Sequence, residues 1–352
     1  MAPMPAVSVV LVTYFGDDNL ARLYDSLRVL DYPRERVSLL VVDNGPARAA
    51  RAWFAVHAPE VPVVVPAVNA GYAGGNALGM EAAIARGADY VAIVTQDTWL
   101  DRGWLRALVD VAERHPWAGA VQPKILRPDA DGGVVIHTWG NELHFLGVGY
   151  VGGDGEPDRA LAVREVAYAS GAGVLYRVRA LADVGVFDPA LFMYHEDSDL
   201  AWRLRLAGWS VLLAPDAVMY HAYDYQRSGA KFYYVERNRL TNLLTHYRLG
   251  TLALIAPAAI LFEFAVLAYA VAGGWAGARL AVYRFFLRAQ TWRYLAHKRA
   301  AVQSVRRVSD RAVVAHFTGR IDFRRLRQPA VRFGLNPILA GYWRLIRPLI
   351  VW

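Results

Sequence analysis

Four short apolar runs constrain the architecture more than any other feature. Val7-Ser8-Val9-Val10-Leu11-Val12-Thr13 and Ser38-Leu39-Leu40-Val41-Val42-Asp43 flank an amphipathic stretch over 19–30, and the pattern recurs over 61–65 and 90–95. Runs of this length, bounded by turn residues and alternating with helical stretches, read as strand–helix–strand units. Their succession predicts an α/β fold with a doubly wound, mostly parallel sheet. Ligands of such sheets sit beyond the carboxyl ends of the strands. Thr13-Tyr14, Asp43-Asn44-Gly45 and Gln96-Asp97 all fall at those ends, so they are expected on one rim.

The segment Asn69-Ala70-Gly71-Tyr72-Ala73-Gly74-Gly75-Asn76-Ala77-Leu78-Gly79 follows the third run, and 80–86 reads as helix. Its glycines allow close backbone approach to a phosphate or sugar. It is not a P-loop, because no Gly-Lys-Ser/Thr follows. Asp97 closes an apolar strand and His221 closes another that begins near Trp209. A carboxylate so placed can hold a divalent cation together with substrate phosphates, although a turn-forming Asp is the commoner case.

Farther on, Phe192-Met193-Tyr194-His195-Glu196-Asp197-Ser198-Asp199-Leu200-Ala201-Trp202-Arg203 carries three carboxylates within four positions and then takes up a helical rhythm. The acids are therefore expected at a helix N-terminus, where free backbone N–H groups and the helix dipole favour negative charge. Capping alone is the simplest use of such residues.

The 352 residues contain no cysteine. Disulfides and thiolate metal sites are excluded, and a reducing compartment is the simplest expectation. The first twenty residues show no secretory signal. The formal charge of +8 is unevenly spread: residues 271–352 hold sixteen Arg and Lys against Asp310 and Asp322, a net +14, which leaves residues 1–270 at −6. Such a tail suits an anionic membrane surface or a nucleic acid. The preceding apolar stretch over 252–272, interrupted by Pro257 and Glu263, is long enough to cross a bilayer and favours the membrane over nucleic acid. Residues 279–307 repeat Arg among Leu, Val, Phe and Trp, the pattern of a basic amphipathic helix.

Taken in order, these segments resemble glycosyltransferase family 2, inverting enzymes of GT-A fold, and within it the bacterial rhamnosyltransferases of cell-surface glycan assembly. The resemblance spans about residues 6–245 and rests on 8–14, 41–44, 69–76, Gln96-Asp97-Thr98, Ser170-Gly171-Ala172, Val184-Gly185-Val186-Phe187-Asp188, 192–200 and His221. It implies a GT-A catalytic domain over 1–245 and a hydrophobic, basic, helical membrane-associating region over 246–352. Thr13, Tyr14 and Asp43 would hold the nucleoside, and Asn69, Gly71, Asn76 and Gln96 would line the donor pocket. Asp97 matches the last acid of the family's Asp-x-Asp, with His221 as a further ligand for Mg²⁺ or Mn²⁺. The first acid of that motif is Thr95 here, and the run after Asp43-Asn44 continues as Gly45-Pro46-Ala47-Arg48. Asp197 would be the general base, with Glu196 and Asp199 as supports that orient it or bind the acceptor, Gly171 and Trp202 on the acceptor side, and Trp202 and Arg203 packing beneath.

The implied reaction moves a hexose from a dTDP- or UDP-linked donor to a polyprenyl-diphosphate-linked glycan, on the cytoplasmic face of the membrane. One base on the acceptor side suits a single in-line displacement with inversion. A catalytically silent sugar-nucleotide or glycan-binding module is the alternative. A full crossing at 252–272 would separate the catalytic domain from the basic tail, so a re-entrant or in-plane arrangement is expected. It would be broken near Pro257 and Gly273-Gly274, with Arg279, Arg284, Arg288 and Arg293 on anionic headgroups.

Overall fold

The computed structural model describes residues 3–14, 19–129, 131–222, 228–322 and 329–352. Its strands are β1 (Val7–Thr13), β2 (Val37–Asp43), β3 (Val63–Val64), β4 (Tyr90–Thr95), β5 (Thr98–Leu100), β6 (Ala118–Pro128), β7 (Val134–Thr138), β8 (Asn141–His144), β9 (Gly149–Val151), β10 (Arg164–Glu165), β11 (Gly173–Arg177), β12 (Ser210–His221) and β13 (Phe317–Thr318). The α-helices are α1 (Leu20–Arg28), α2 (Ala49–His57), α3 (Gly71–Ala85), α4 (Trp104–Arg114), α5 (Val178–Val184), α6 (Glu196–Leu206), α7 (Gly229–His246), α8 (Leu249–Ala272), α9 (Ala276–Phe286), α10 (Ala289–Ser304), α11 (Asp310–Val314) and α12 (Asn336–Ile346).

Among the described residues ten strands form one sheet, ordered β10-β12-β6-β11-β4-β1-β2-β3, with β5 and β7 joined to β12 and β6. The apolar runs give the parallel half: β1 pairs in parallel with both β2 and β4, and β2 with β3. β11 then enters antiparallel between β4 and β6, while β12 runs parallel to β6. Residues 7–13 and 90–94 are buried throughout, as strands covered on both faces must be. Register sets Thr13 opposite Asp43 and Val12 opposite Thr95, which places the expected residues along one rim.

The glycine-rich segment differs from the sequence reading. Helix α3 begins at Gly71 rather than near Met80. Glycine is a poor helix former, and packing overrides that preference here. A Cβ at Gly75 would stand 2.9 Å from Val12 Cγ1, and one at Gly79 would collide with Val10. These two glycines, one turn apart, let α3 lie directly on β1.

Residues on both sides of 245 contribute to one apolar core. Ile255, Phe262, Val302, Phe317 and Trp343 belong to the same apolar core as Trp202, Leu204 and Phe145. Phe145 stacks on Trp343 at 4.6 Å, and β13 pairs in parallel with β8. Helix α8 runs unbroken through Pro257 and ends at Gly273, so the break expected at the proline is absent. A proline forfeits one backbone bond and clashes with the preceding turn. Here it lies on the exposed side of α8, where the chain can bow away from the core.

The basic stretch is likewise two helices, α9 and α10, separated at Leu287-Arg288. Arg279 does not reach outward: it is fully buried and pairs with Glu236 of α7 at 2.9 Å and with Glu263 of α8. Arg239 of α7 completes the group, 2.8 Å from Glu236 and 2.5 Å from Glu263. Two arginines and two glutamates thus neutralise one another where α7, α8 and α9 meet, the pairing a buried charge requires. Arg284, Arg288 and Arg293 are exposed, as expected.

Candidate active site

The carboxyl ends of β1, β2 and β4 are tied by their own side chains. Tyr14 N–H donates to Gln96 Oε1 at 2.9 Å, so Gln96 fixes the exit of β1. Asp43 is almost wholly buried and accepts from Gly45 N at 3.1 Å and Arg51 N at 2.9 Å, while Thr13 Oγ1 lies 3.5 Å away. One oxygen holds the turn and the other satisfies an open amide of α2, as an acid at a helix start should. Asn44 clamps the next segment, accepting from Ala70 N at 3.0 Å and donating to Gly71 O at 2.7 Å.

Of the residues expected to line the donor pocket, Tyr14 and Asn69 are exposed and Gln96 is half-buried. Asn69 Oδ1 accepts from Gly71 N at 2.8 Å. Asn76 is a correction: it is fully buried inside α3 and donates to Tyr72 O at 2.9 Å, so it supports the helix instead of facing a pocket.

Asp97 and His221 meet although 124 residues separate them. Asp97 Oδ2 lies 3.1 Å from His221 Nε2, and β5 pairing with β12 makes the approach possible. Burial is the largest single influence on Asp97 and works against its carboxylate, but the hydrogen bond and charge of His221, with Thr95 and the backbone, together outweigh it and hold Asp97 below the ordinary carboxyl range. Among the described residues no group of three or more His, Asp and Glu is arranged to hold a metal. A carboxylate oxygen and an imidazole side by side are ligand types that suit a divalent cation, of which Asp97 and His221 would supply two positions.

Helix α6 opens with Glu196, Asp197 and Asp199 in its first turn, as expected. Asp197 is half-buried and its carboxylate is held by backbone alone: Gly171 N donates to Oδ2 at 3.1 Å and Ser198 N to Oδ1 at 2.7 Å. Burial pushes Asp197 up to about 6, against the downward pull of those two amides. Glu196 is buried, with Oε2 lacking a hydrogen-bond partner, and burial followed by the neighbouring Asp197 holds it well above the ordinary carboxyl range. Tyr72, unassigned by sequence reading, closes this corner by donating to Gly171 O at 2.6 Å.

Asp199 and Trp202 lie beneath the site, away from the acceptor side, Trp202 in the packing position also expected for it. Asp199 is fully buried, 2.8 Å from Arg203 and 2.8 Å from Lys298, with His246 at 3.3 Å. Arg203 and Lys298, with a smaller contribution from His246, together outweigh burial and hold it well below the usual range. Trp202 packs among His246, Tyr247 and Phe317 in the core.

Among the described residues the turn before α6 is the one cluster of positive-φ backbone outside glycine: Phe192, Tyr194 and His195 have φ of 64°, 65° and 66°. Sequence pattern gave no sign of it.

The fold is of GT-A type. Among solved structures, GalNAc-T7 with UDP, GalNAc and Mn²⁺ superposes with a TM-score of 0.59 at 14% identity, over 85% of this chain and 59% of that one. The 1–349 portion of S. aureus TarS gives 0.51 at 16%, over 97% and 90%. Residues 4–242 match the family described as "Glycosyltransferase like family 2", and the chain belongs to that family. The N-acetylglucosaminyl-diphospho-decaprenol L-rhamnosyltransferase of Mycobacterium tuberculosis is 31% identical over 237 residues, 60% of this chain and 75% of that protein. The protein is a glycosyltransferase.

Proposed function

We propose that this glycosyltransferase transfers rhamnose or a similar hexose, with inversion, from a dTDP- or UDP-linked donor to a polyprenyl-diphosphate-linked glycan in cell-envelope polysaccharide synthesis. The observation that carries the reading is Asp197, a carboxylate held by backbone amides, those of Gly171 and Ser198 among them, at the start of α6 and raised to about 6. A base near that value is ionised at neutral pH and still takes a proton readily. Asp197 removes the acceptor hydroxyl proton, the oxygen forms its bond to the anomeric carbon from the far face, and the bond to the nucleoside diphosphate breaks. Gly171 and Ser198 amides keep the carboxylate aimed, and Glu196 limits water behind it.

Asp97 and His221 would hold Mg²⁺ or Mn²⁺. A cation there supplies charge neutralisation for the departing diphosphate. Thr13, Tyr14 and Asp43 with the Asn69-Ala70-Gly71 turn form the nucleoside side of the rim. The likeness to a rhamnosyltransferase whose printed name specifies a diphospho-decaprenol acceptor supports the substrate class.

The C-terminal helices support work at the cytoplasmic membrane face. On α8, Thr251, Ile255, Ala258, Phe262, Val266 and Ala270 are buried against the protein, while Pro257, Ile260, Phe264, Ala268 and Val271 form an exposed stripe at the same spacing. One covered face and one open apolar face suit a helix lying in the membrane surface, peripheral or re-entrant, with Arg284, Arg288 and Arg293 on anionic headgroups.

The test is transfer of labelled sugar to a polyprenyl-diphosphate N-acetylglucosamine in anionic vesicles, comparing dTDP-rhamnose with UDP-sugars. Product formation that excess EDTA abolishes supports the whole reading. Undiminished transfer in EDTA removes the metal, and nucleotide binding without transfer to any lipid-linked acceptor favours the silent binding module.

A further inference from the structure

Asp197 depends on a backbone turn that costs free energy to hold. Phe192 has φ 64° and ψ −60°, and Met193 N donates to Leu191 O at 2.8 Å, which closes a three-residue γ-turn of the rare, strained hand. Tyr194 and His195 follow in the left-handed region, where residues other than glycine are disfavoured. Such backbone persists only where its surroundings over-determine it.

The surroundings are side chains of α7. Asn238 is fully buried, and its Nδ2 lies 2.9 Å from Leu191 O, 2.9 Å from Met193 O and 2.7 Å from Tyr194 O. The orientation of this amide is fixed by its other end, because Oδ1 accepts from Arg237 Nε at 2.8 Å. Arg237 also donates to Ala190 O at 2.9 Å and Leu191 O at 2.7 Å, and Asn242 donates to His195 O at 3.2 Å. The strained turn also reaches the donor side: Ala73 N, in the first turn of α3, donates to Phe192 O at 2.9 Å.

We propose that Asn238 is a positioning residue for sugar transfer: its amide holds the 191–194 carbonyls so that α6 starts with Asp197 against Gly171 and α3 starts beside it. This rests on the reading of Asp197 as the base. Asn238 touches neither substrate nor the reacting atoms, and it acts through the turn.

Asn238→Asp is the sharpest variant, since it keeps the shape and replaces the donating NH₂ by oxygen. Amide hydrogen exchange at Ala73 and Ser198 reports the turn, and kcat reports its consequence. Exchange at both is expected to speed at least tenfold and kcat to fall at least tenfold, with the Kd of the nucleoside diphosphate within threefold. The acid limb of the rate profile should move below 6, because a loosened turn lets water reach Asp197. Adding Tyr194→Gly, which accepts the left-handed backbone freely, should restore at least threefold of the lost kcat. Should the aspartate variant not fold, Asn242→Ala gives the same pattern at smaller amplitude. Unchanged exchange overturns the proposal whatever the activity, and so does faster exchange with kcat and the acid limb unmoved. Failure of the base assignment reads differently, as turnover retained by Asp197→Asn.

Discussion

Asp197 and Asp199 stand two residues apart on the first turn of one helix and live in opposite surroundings. A step of two residues turns a helix by about 200°, so one carboxylate looks toward the rim and the other into the core. Asp197 is held by backbone amides, those of Gly171 and Ser198 among them, and is raised to about 6. Asp199 meets Arg203, Lys298 and His246 and is held far below the ordinary range. Acidity in this motif is thus divided between chemistry and architecture. Arg203 and Lys298 gather on the carboxylate that joins α6 to α7 and α10, and the proposed base stands apart from them.

The largest effect that would break this comparison is the loss of Asp197. Asp197→Asn is expected to lower kcat by at least about 10²-fold, the usual worth of a positioned base, with an unchanged melting temperature. Single-turnover transfer alongside a thermal melt checks it, and turnover above about a tenth of wild type would refute the role. Asp199→Ala should do the reverse. Removing one partner from a buried ion group strands the others, at about 3–5 kcal/mol, so the midpoint of chemical unfolding should fall sharply. Residual folded protein should keep a kcat near that of wild type. If Asp199→Ala left stability intact and abolished transfer, the division drawn here would be wrong.

Which acid faced which way was not legible in the sequence, although the cluster itself was. The run of acids before a helical rhythm locates the N-terminus of α6 from local pattern alone. The partners of Asp199 lie four residues away in Arg203 but 99 away in Lys298, and no local pattern encodes the latter. Glu263 and Arg279 show the same limit. Glu263 looks like a charge misplaced in an apolar stretch and Arg279 like one of a row of outward arginines when each segment is read alone, and both are explained once α7 brings Glu236 and Arg239 to them. The parallel strands were readable because their burial is continuous along the chain. The start of α3 was not, because glycine argues against helix until Val10 and Val12 are seen beneath it. The rim residues at strand ends followed from topology, whereas the carbonyls of the strained turn before α6 are met by Asn238 and its neighbours on α7, distant in sequence.

The smallest effect sharpens the comparison through pH. Asp197 is raised in the folded protein, so the native state takes up its proton more readily than the unfolded chain, whose Asp titrates near 3.9. Stability from this group therefore increases as pH falls through about 6, and above that value the ionised carboxylate costs stability. Asp199 is depressed, so its contribution is complete above about 3.9 and is lost only as pH falls below that, toward its folded value. Activity should consequently fall about tenfold per unit below pH 6 while the fold stays intact, and unfolding by acid should begin below about pH 4. Glu196→Gln separates the causes. Burial, not the neighbouring acid, is the largest influence on Asp197, so the acid limb of kcat should stay near 6 in this variant. A limb that drops to about 4, the ordinary carboxyl value, would show that repulsion between Glu196 and Asp197 sets the base instead.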